Sequence, residues 1–417
     1  MLKIKTHTLG CKVNQYETEL VKEAFHQLGY ADADENETAD LIVVNTCTVT
    51  AQSDLKSRKT VRKFAKENPG AEIIVMGCLA TRDPDEFAKI SGVSEIITDK
   101  RDIDVFLKRR GVLTPPTGIT SFGQRHRAFV KVQDGCVVGC AYCIIPKVRP
   151  YLLSRNQQEV LDELQLLAEK GFAEIVLTGI HLGHYGVDYV PKTTLADLVS
   201  KIVELIENKN LKIRIRISSL EAVEASDELV RVVRDNPNVI CPHFHLSMQS
   251  GSDAVLANMK RRWMSGPFLE KCEEIKSQLD HVALTTDVIV GFPGETDEQF
   301  LETCELVRKI GFSKVHVFRF SAREGTEAAE LPDQIPFHVK RDRSAELSRI
   351  ADEIREEYAR SLVGKTVQVL FETETINGSL SGTADRYLTV IAPSDGKTIG
   401  NLYPIVLKNS HKDELFC

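Results

Sequence analysis

The sequence predicts an α/β protein in three parts: a doubly wound N-terminal α/β domain, a central partial (β/α)6 barrel of the TIM type, and a small OB-like C-terminal β-barrel. The first observation is that short β-branched apolar runs alternate with charged, amphipathic helical segments along most of the 417 residues. The second is a change, after the last long helical segment, to short strands separated by Gly, Asn and Asp turns. A hydrophobic content of 42% allows a large core divided among two or three domains.

The N-terminal domain, residues 1–99, has the pattern of a parallel sheet covered by helices. Leu41–Val44 and Glu72–Met76 are continuous apolar runs of the kind that is buried on both faces. Glu17–Leu28 and Ala51–Glu67 show helical periodicity with charged outer faces. This alternation is typical of a doubly wound α/β fold.

Three cysteines of this domain follow its predicted strands. Cys11 comes after the first strand, Cys47 after the second and Cys78 after the third. Because the carboxyl ends of parallel strands share one edge, where ligands bind, we expect the three thiols to converge in space. The pattern predicts a three-cysteine cluster site, and the alternative is chance placement of three core thiols.

The remaining boundaries follow from composition. Residues 100–125 combine charges, several glycines and Pro115-Pro116, which predicts a linker. Residues 126–360 carry a second βα series and residues 361–417 carry the short strands. The predicted barrel strands are Ala128–Val132, Glu174–Leu177, Lys212–Ile217, His243–Leu246, Val282–Val290 and Lys314–Phe320, and the predicted C-terminal strands are Thr366–Phe371, Gly378–Thr383, Tyr387–Ile391 and Leu402–Leu407.

A second cysteine triad, Cys136, Cys140 and Cys143, follows the first barrel strand. Three residues separate the first pair and two separate the second, a spacing that lets three thiolates ligate three irons of a cubane cluster and leaves the fourth iron open for a small molecule. A zinc site normally closes its fourth position with a Cys or His at short spacing, and none follows here. Tyr142 is expected to shield such a cluster from water.

Small and polar residues follow later barrel strands, where the active sites of such barrels lie. They are Thr178 and Gly179 after the second strand, Ser218 and Glu221 after the third, and Gln249 after the fourth. These residues let the backbone approach a ligand closely, and the alternative interpretation is ordinary turn chemistry.

Composition limits the partners and the compartment. No apolar run approaches membrane-spanning length, and the N-terminal residues lack the apolar core of a signal peptide. Ten cysteines in such a chain favour metal binding or catalysis over disulfides, and we expect a cytoplasmic protein. At a net charge of −7, a nucleic-acid partner must be held by local basic patches.

Basic segments that could contact phosphates are short and scattered. The longest, Lys56–Lys66, packs six cations into a helix of three turns. Several such patches beside a predicted active edge favour RNA binding, although a single charged run is more often a solvated face. The other patches are Lys108–Arg110, Arg125–Arg127 and Lys260–Arg262.

The whole chain resembles the radical SAM (S-adenosylmethionine) methylthiotransferases, which insert a methylthio group into a C–H bond. The start Thr8-Leu-Gly-Cys-Lys-Val-Asn-Gln-Tyr-Glu-Thr-Glu19 is similar to the subgroup that modifies threonylcarbamoyl-adenosine in tRNA. Leu177–Gly183, Arg214–Glu221 and His316–Phe318 are similar to that subgroup as well. Gly139 and Pro150-Tyr151 depart from the family pattern around the second cysteine loop.

The resemblance implies the roles of individual residues. Cys136, Cys140 and Cys143 would hold the 4Fe–4S cluster that cleaves SAM, with Thr178-Gly179 as the segment whose backbone receives the SAM amino group. Tyr142, Ser218, Glu221 and Gln249 would complete the SAM site, and residues 361–417 would form a TRAM domain. A second, auxiliary 4Fe–4S cluster would be held by Cys11, Cys47 and Cys78.

The implied activity is methylthiolation of C2 of N6-threonylcarbamoyladenosine next to the anticodon of tRNA. SAM would serve both as methyl donor and as source of a 5′-deoxyadenosyl radical, with electrons from an external one-electron donor. Since the adenine must be presented unstacked, an anticodon loop is a better substrate than duplex RNA. The sequence indicates no oligomeric state.

Other functions compatible with the sequence belong to three classes. The family also contains enzymes that act on isopentenyl-adenosine in tRNA or on an aspartate of a ribosomal protein. A non-catalytic iron–sulfur redox protein and a zinc-stabilised RNA-binding module would each use cysteines without cleaving SAM.

Overall fold

A computed structural model of the chain describes residues 1–34, 36–123, 125–411 and 414–417. Its N-terminal part is a parallel sheet in the order β2-β1-β3-β4-β5, with separate apolar cores on its two faces. Strand β3 is buried along its whole length, as its unbroken apolar run predicts. The elements are β1 (Lys3–Thr8), α1 (Lys12–Gln27), β2 (Ala31–Asp32), β3 (Leu41–Thr46), α2 (Ala51–Glu67), β4 (Glu72–Gly77), α3 (Cys78–Arg82), α4 (Pro84–Ala88), β5 (Val93–Ile96) and α5 (Ile103–Arg109).

The register of this sheet aligns the carboxyl ends of its central strands. Thr8 of β1 pairs with Asn45 of β3, and Asn45 pairs with Met76 of β4. The three loops that follow therefore leave the sheet at one edge. This edge carries the first cysteine triad.

Part of the predicted linker, residues 100–125, is folded. A short 3₁₀ turn at Lys100–Asp102 leads into α5, and Ile103, Phe106 and Val112 are buried in the core beneath the sheet. The N-terminal core thus reaches past residue 99, because these apolar side chains recur at helical spacing among the charges that indicated a linker. Gln124 lies outside the described residues.

The central part is a partial barrel with six parallel strands of four to eight residues at the predicted positions. Two four-stranded sheets, β7-β6-β8-β9 and β10-β11-β12-β13, are joined where Ile215 exchanges backbone hydrogen bonds with Val239 and Cys241. The elements are β6 (Arg127–Asp134), α6 (Ile145–Val148), β7 (Leu153–Ser154), α7 (Gln157–Glu169), β8 (Glu174–Gly179), α8 (Leu195–Lys209), β9 (Arg214–Ile217), β10 (Ser219–Leu220), α9 (Asp227–Asp235), β11 (His243–Leu246), α10 (Asp253–Asn258), α11 (Ser265–Gln278), β12 (Ala283–Val290), α12 (Asp297–Ile310), β13 (Lys314–Arg319), α13 (Glu327–Glu330) and α14 (Phe337–Ser361).

The C-terminal part is one six-stranded sheet in the order β17-β14-β15-β16-β19-β18. Because an apolar core is enclosed by side chains from this single sheet and the end of α14, the sheet must curl around it. The four predicted strands are present, and the structure adds two short ones. The strands are β14 (Thr366–Glu374), β15 (Leu380–Ala384), β16 (Thr389–Ala392), β17 (Leu402–Val406), β18 (Asn409–His411) and β19 (Glu414–Phe416).

The C-terminal part covers the amino ends of the barrel strands. Arg214, the first residue of β9, donates hydrogen bonds to the carbonyls of Gln368 and Thr383. Arg216 donates to the carbonyls of Ala384 and Asp385. The cysteine loop and the N-terminal part lie at the opposite, carboxyl end of the barrel. None of the described helices combines the length and apolar character needed to cross a bilayer.

Candidate active site between two cysteine triads

The first triad lies at the carboxyl edge of the N-terminal sheet. Cys11 caps α1, Cys47 follows β3 and Cys78 opens α3. Gly10 has a φ of +102°, and a Cβ placed on it would lie 2.9 Å from the Cβ of Cys47 and 3.0 Å from its Sγ. Only glycine at this position lets the chain beside Cys11 pass so close to Cys47. The structure thus brings the predicted residues to one edge.

Hydrogen bonds fix the loops that carry these thiols. The Asn14 amide donates to the carbonyls of Leu9 (2.9 Å) and Thr46 (3.1 Å), which ties the Cys11 loop to the Cys47 loop. The Ser57 hydroxyl of α2 accepts from the backbone N–H of Cys47 at 3.2 Å and donates to its carbonyl at 3.1 Å. Backbone and side chains therefore hold this edge before any ligand binds.

The second triad lies on the loop between β6 and α6. The N–H of Cys136 donates to the carbonyl of Arg149 at 3.1 Å, and the N–H of Cys143 donates to that of Cys140 at 3.0 Å. Ala141 is fixed to the carbonyl of Met259 at 3.0 Å. Next to this loop, Ile144, which directly precedes α6, and Val148 of α6 pack on Cys78 of the first triad, so the two sites are neighbours.

In neither triad do the three thiols lie as close together as the ligands of a single zinc ion. Among the described residues, neither triad brings its three sulfur atoms within 4.8 Å of one another. A zinc ion with Zn–S bonds of about 2.3 Å would need thiolates about 3.8 Å apart. Burial raises the pKa of the Cys143 thiol to about 12, so a metal or cluster bound by this sulfur would have to displace a proton. The other cysteines, outside both triads, are Cys241, Cys272, Cys304 and Cys417.

Arg261 organises the side of the loop that carries Cys140. Its guanidinium donates to the Sγ of Cys140 at 3.3 Å and to the Oη of Tyr142 at 3.2 Å. Its other nitrogen binds both carboxylate oxygens of Glu221, at 2.9 and 3.0 Å. Tyr142 and Glu221, both predicted site residues, therefore meet at the cysteine loop through a residue that the sequence did not single out.

His181 organises the side that carries Cys136. Its Nδ1 lies 3.3 Å from the Sγ of Cys136, and its Nε2 lies 2.6 Å from Oε1 of Glu224. Arg262 donates to the same Glu224 oxygen at 2.6 Å. The sequence analysis gave His181 and Glu224 no individual role and placed Arg262 in a basic patch. The sequence signal that could have identified His181 is its position inside Leu177–Gly183, one of the segments that resemble the family.

The prediction that the basic patch Lys260–Arg262 contacts phosphates is therefore wrong for its central residue. Arg261 is only 8% exposed, and its guanidinium is occupied by contacts with Glu221 and the cysteine loop. A run of cations in the sequence does not distinguish a solvated arginine from a buried one whose carboxylate partner is 40 residues away in sequence.

The remaining predicted SAM contacts lie on neighbouring strand ends. Thr178 is buried, and a Cβ on Gly179 would lie 3.1 Å from Gln133, whose side chain accepts a 2.8 Å hydrogen bond from the N–H of His181. Ser218 is buried in the wall of the barrel cavity. Gln249 has a φ of +69° and lines a smaller cavity beside the cysteine loop. Of these residues, Gln249 shares a cavity with Cys143, and Gly179 is linked to Cys136 through Gln133 and His181.

Two adjoining cavities lie next to the triads. The smaller, about 250 Å³, is lined by Cys143, Tyr142 and Gln249. The larger, about 720 Å³, lies inside the barrel and is lined by residues of all three parts of the chain, among them Lys12 and Tyr387. The shared lining residues are Asp287 and Phe318.

Arg149 connects the two cysteine sites through a fully buried ion-pair network. It contacts Glu17 of α1 at 2.7 Å, Asp134 of β6 at 2.6 Å and the Oδ1 of Asn14 at 3.0 Å. Although burial alone would raise it, the pKa of Asp134 is held well below its usual value by Arg149 and Lys131. The carboxylates therefore stay ionised, and the guanidinium fixes the cysteine loop against α1.

Comparison with known proteins places this geometry in a family. Residues 3–99 match the family described as "Uncharacterized protein family UPF0004", and residues 130–307 match the "Radical SAM superfamily". The chain is 38% identical to the "Threonylcarbamoyladenosine tRNA methylthiotransferase MtaB" of Bacillus subtilis, over 97% of this chain and 93% of that protein. The protein of the same name from Thermotoga maritima is 34% identical over 98% of this chain and 95% of its own length.

This chain belongs to the radical SAM methylthiotransferase family. It is accordingly a transferase of the class that uses SAM and 4Fe–4S clusters. The "tRNA-2-methylthio-N(6)-dimethylallyladenosine synthase" of Corynebacterium glutamicum is 32% identical over 95% of this chain and 81% of that protein. A solved structure of the radical SAM methyltransferase TsrM from Kitasatospora setae superposes with a TM-score of 0.57 at 12% identity, over 79% of this chain and 77% of that one. The predicted fold class of this methylthiotransferase is confirmed.

Proposed function

We propose that this methylthiotransferase acts on tRNA and installs a methylthio group at C2 of N6-threonylcarbamoyladenosine next to the anticodon. The observation that carries the proposal is the placement of two cysteine triads at one junction, with a cavity of about 720 Å³ beside them. The names of the relatives with 34–38% identity support the choice of nucleoside.

We assign one cluster to each triad. Cys136, Cys140 and Cys143 would hold the SAM-binding 4Fe–4S cluster, and the loops at Cys11, Cys47 and Cys78 would hold the auxiliary one. When bound, these groups supply the electron that cleaves SAM and the sulfur that is transferred.

The protein residues around the cluster sites would bind and orient the cofactors and exclude water. Arg261 donates toward the sulfur of Cys140, and the Nδ1 of His181 contacts the sulfur of Cys136; hydrogen bonds to ligating sulfurs tune a cluster and stabilise negative charge on it. Tyr142 packs against the apolar cluster that contains Phe292 and Phe320, which keeps water from that side of the loop. Thr178, Gly179, Ser218, Glu221 and Gln249 are the proposed wall of the SAM site.

The remaining partners follow from the same proposal. An external one-electron donor supplies electrons, the cytoplasm provides the tRNA, and the C-terminal part, residues 361–417, acts as a TRAM domain. The proposed domain limits are 1–99, 100–125, 126–360 and 361–417, with the N-terminal core extending into the second segment. The exposed cations of α2 offer a surface for tRNA phosphates.

A second candidate within the family is methylthiolation of isopentenyl-adenosine, favoured by the 32% identity to the dimethylallyladenosine synthase. Nucleoside mass spectrometry of tRNA from a deletion strain tests both. Loss of the methylthio form of threonylcarbamoyladenosine, restored by the wild-type gene, is the expected result. Loss of the isopentenyl form instead would replace the proposed substrate.

A further inference from the structure

The cavity inside the barrel carries more positive than negative side chains. Arg127 is neutralised by Glu372 at 2.9 Å, and Arg216 by Glu174 behind the cavity wall at 2.8 Å. Asp287 lies 3.4 Å from the imidazole of His245. The charged side chains that line the cavity are Lys12, Arg125, Arg127, Arg216, Asp287 and Glu372.

Lys12 is a cation of this cavity that these ion pairs do not neutralise. It is half-buried at the start of α1 and lines the cavity next to Cys11. Within the described part of the chain its ammonium makes neither a hydrogen bond nor an ion pair. Arg216 and Arg127 repel it through space, and Asp287 attracts it without reaching contact distance. An ammonium in such a place has unused hydrogen-bond donors facing an open space.

We propose that Lys12 binds the carboxylate of the threonylcarbamoyl substituent and thereby selects the charged nucleoside over nucleosides with an apolar or no substituent. The inference rests on the proposed function and names the residue that reads its substrate. An isopentenyl group has neither a charge nor a hydrogen-bond acceptor for this ammonium, whereas a carboxylate forms a charge-assisted hydrogen bond with it.

A base-borne carboxylate fits the position of Lys12 better than a phosphate of the RNA backbone. Most of the cavity wall is built from barrel strands, so we expect an extruded base to reach its interior while the backbone stays outside. Exposed cations for the backbone are available elsewhere, on Arg125 at the cavity rim and on α2. Lys12 therefore lies where a base substituent arrives.

The structure of adenine also favours a position of the N6 substituent near Lys12. C2 and the N6 substituent lie on one edge of the ring, separated by N1. A base that brings C2 toward the auxiliary cluster site at Cys11 must also bring its N6 substituent close to the start of α1. The residue adjacent to Cys11 is therefore suitably placed to hold that substituent.

Equilibrium binding of anticodon stem-loop RNAs to the anaerobically purified full chain, with its clusters and without reductant, tests the inference. Three RNAs carry threonylcarbamoyladenosine, its neutral carboxamide, or unmodified adenosine. We expect wild-type protein to bind the acid about tenfold more tightly than the carboxamide. Lys12→Met should remove that preference and Lys12→Arg should keep most of it, while Lys209→Met, an exposed lysine of α8, should change nothing.

Each other outcome contradicts the inference in a distinct way. A wild-type protein without preference for the acid, or a Lys12→Met protein that keeps it, overturns the role of Lys12. An equal loss of affinity for all three RNAs in Lys12→Met assigns the residue to a backbone phosphate. Failure of the proposed function is separate, since wild-type protein would then leave the threonylcarbamoyl RNA unmodified when SAM and reductant are added.

Discussion

Arg149 and Glu17 form an ion pair of 2.7 Å in which neither side chain is accessible to solvent. Glu17 belongs to α1, which follows the first cysteine of one triad, and Arg149 follows α6, next to the last cysteine of the other. Since burying two charges is favourable only when they are well paired, this contact fixes the two cysteine sites relative to each other.

Replacing Arg149 should destabilise the protein strongly. Arg149→Met leaves Glu17 and Asp134 buried with Lys131 as their one remaining cationic partner among the described residues, at 3.2 and 3.1 Å. We expect the free energy of unfolding, measured by urea titration without oxygen, to fall by about 3 kcal/mol. The control Arg341→Met removes an exposed arginine paired with Asp342 and should cost less than about 1 kcal/mol. Equal losses in the two variants would contradict the role given to the buried pair.

Cys136→Ala should abolish cleavage of SAM to 5′-deoxyadenosine while the other cluster still assembles. The reason is that the two triads lie on separate sheets with separate cores. Iron per chain should fall to about half, as ligand arithmetic requires. Cys272→Ala, a buried cysteine outside both triads, serves as the control and should keep all iron. If Cys136→Ala strips the chain of all iron, the two sites are not independent.

Cys47→Ala should have the opposite effect. Reduced protein should still release 5′-deoxyadenosine from SAM, because the barrel triad is intact, but no methylthiolated RNA should form. Product analysis by mass spectrometry after anaerobic incubation measures both. Full methylthiolation by this variant would return Cys11, Cys47 and Cys78 to the status of structural thiols.

The exposed cations of α2 should contribute to tRNA binding. Lys59, Arg62 and Lys63 are solvent-exposed, and only Lys63 has a long 3.8 Å contact with Glu67. Neutralising all three should raise the apparent KM for tRNA and lower the slope of log K against log salt by about 2 to 3. SAM cleavage without tRNA provides the internal control. An unchanged KM and slope would identify this helix as an ordinary solvated face.

Much of the fold and the grouping of the cysteines could be predicted because the signals are local. Continuous apolar runs fix the parallel strands, and a cysteine one to three residues beyond a strand must lie at its carboxyl edge. The spacing of Cys136, Cys140 and Cys143 is itself a local pattern. The sequence therefore predicted which thiols group together.

The supporting residues could not be predicted because their partners are distant in sequence. Arg261 pairs with Glu221, and His181 with Glu224, across 40 and 43 positions. The pairing of Arg149 with Glu17 spans 132 positions. The sequence analysis showed Arg261 only as part of a basic run and gave Arg149 no role, and only the packing of three parts of the chain shows which charges are buried.

The central claim is that this chain methylthiolates threonylcarbamoyladenosine. The most direct measurement supplies anaerobically purified protein with SAM, a reductant and an equimolar mixture of two anticodon stem-loops, one with threonylcarbamoyladenosine and one with isopentenyl-adenosine, followed by nucleoside mass spectrometry. We predict a methylthio product from the threonylcarbamoyl RNA alone. Modification of the isopentenyl RNA alone, or SAM cleavage that leaves both RNAs unmodified, would contradict the claim.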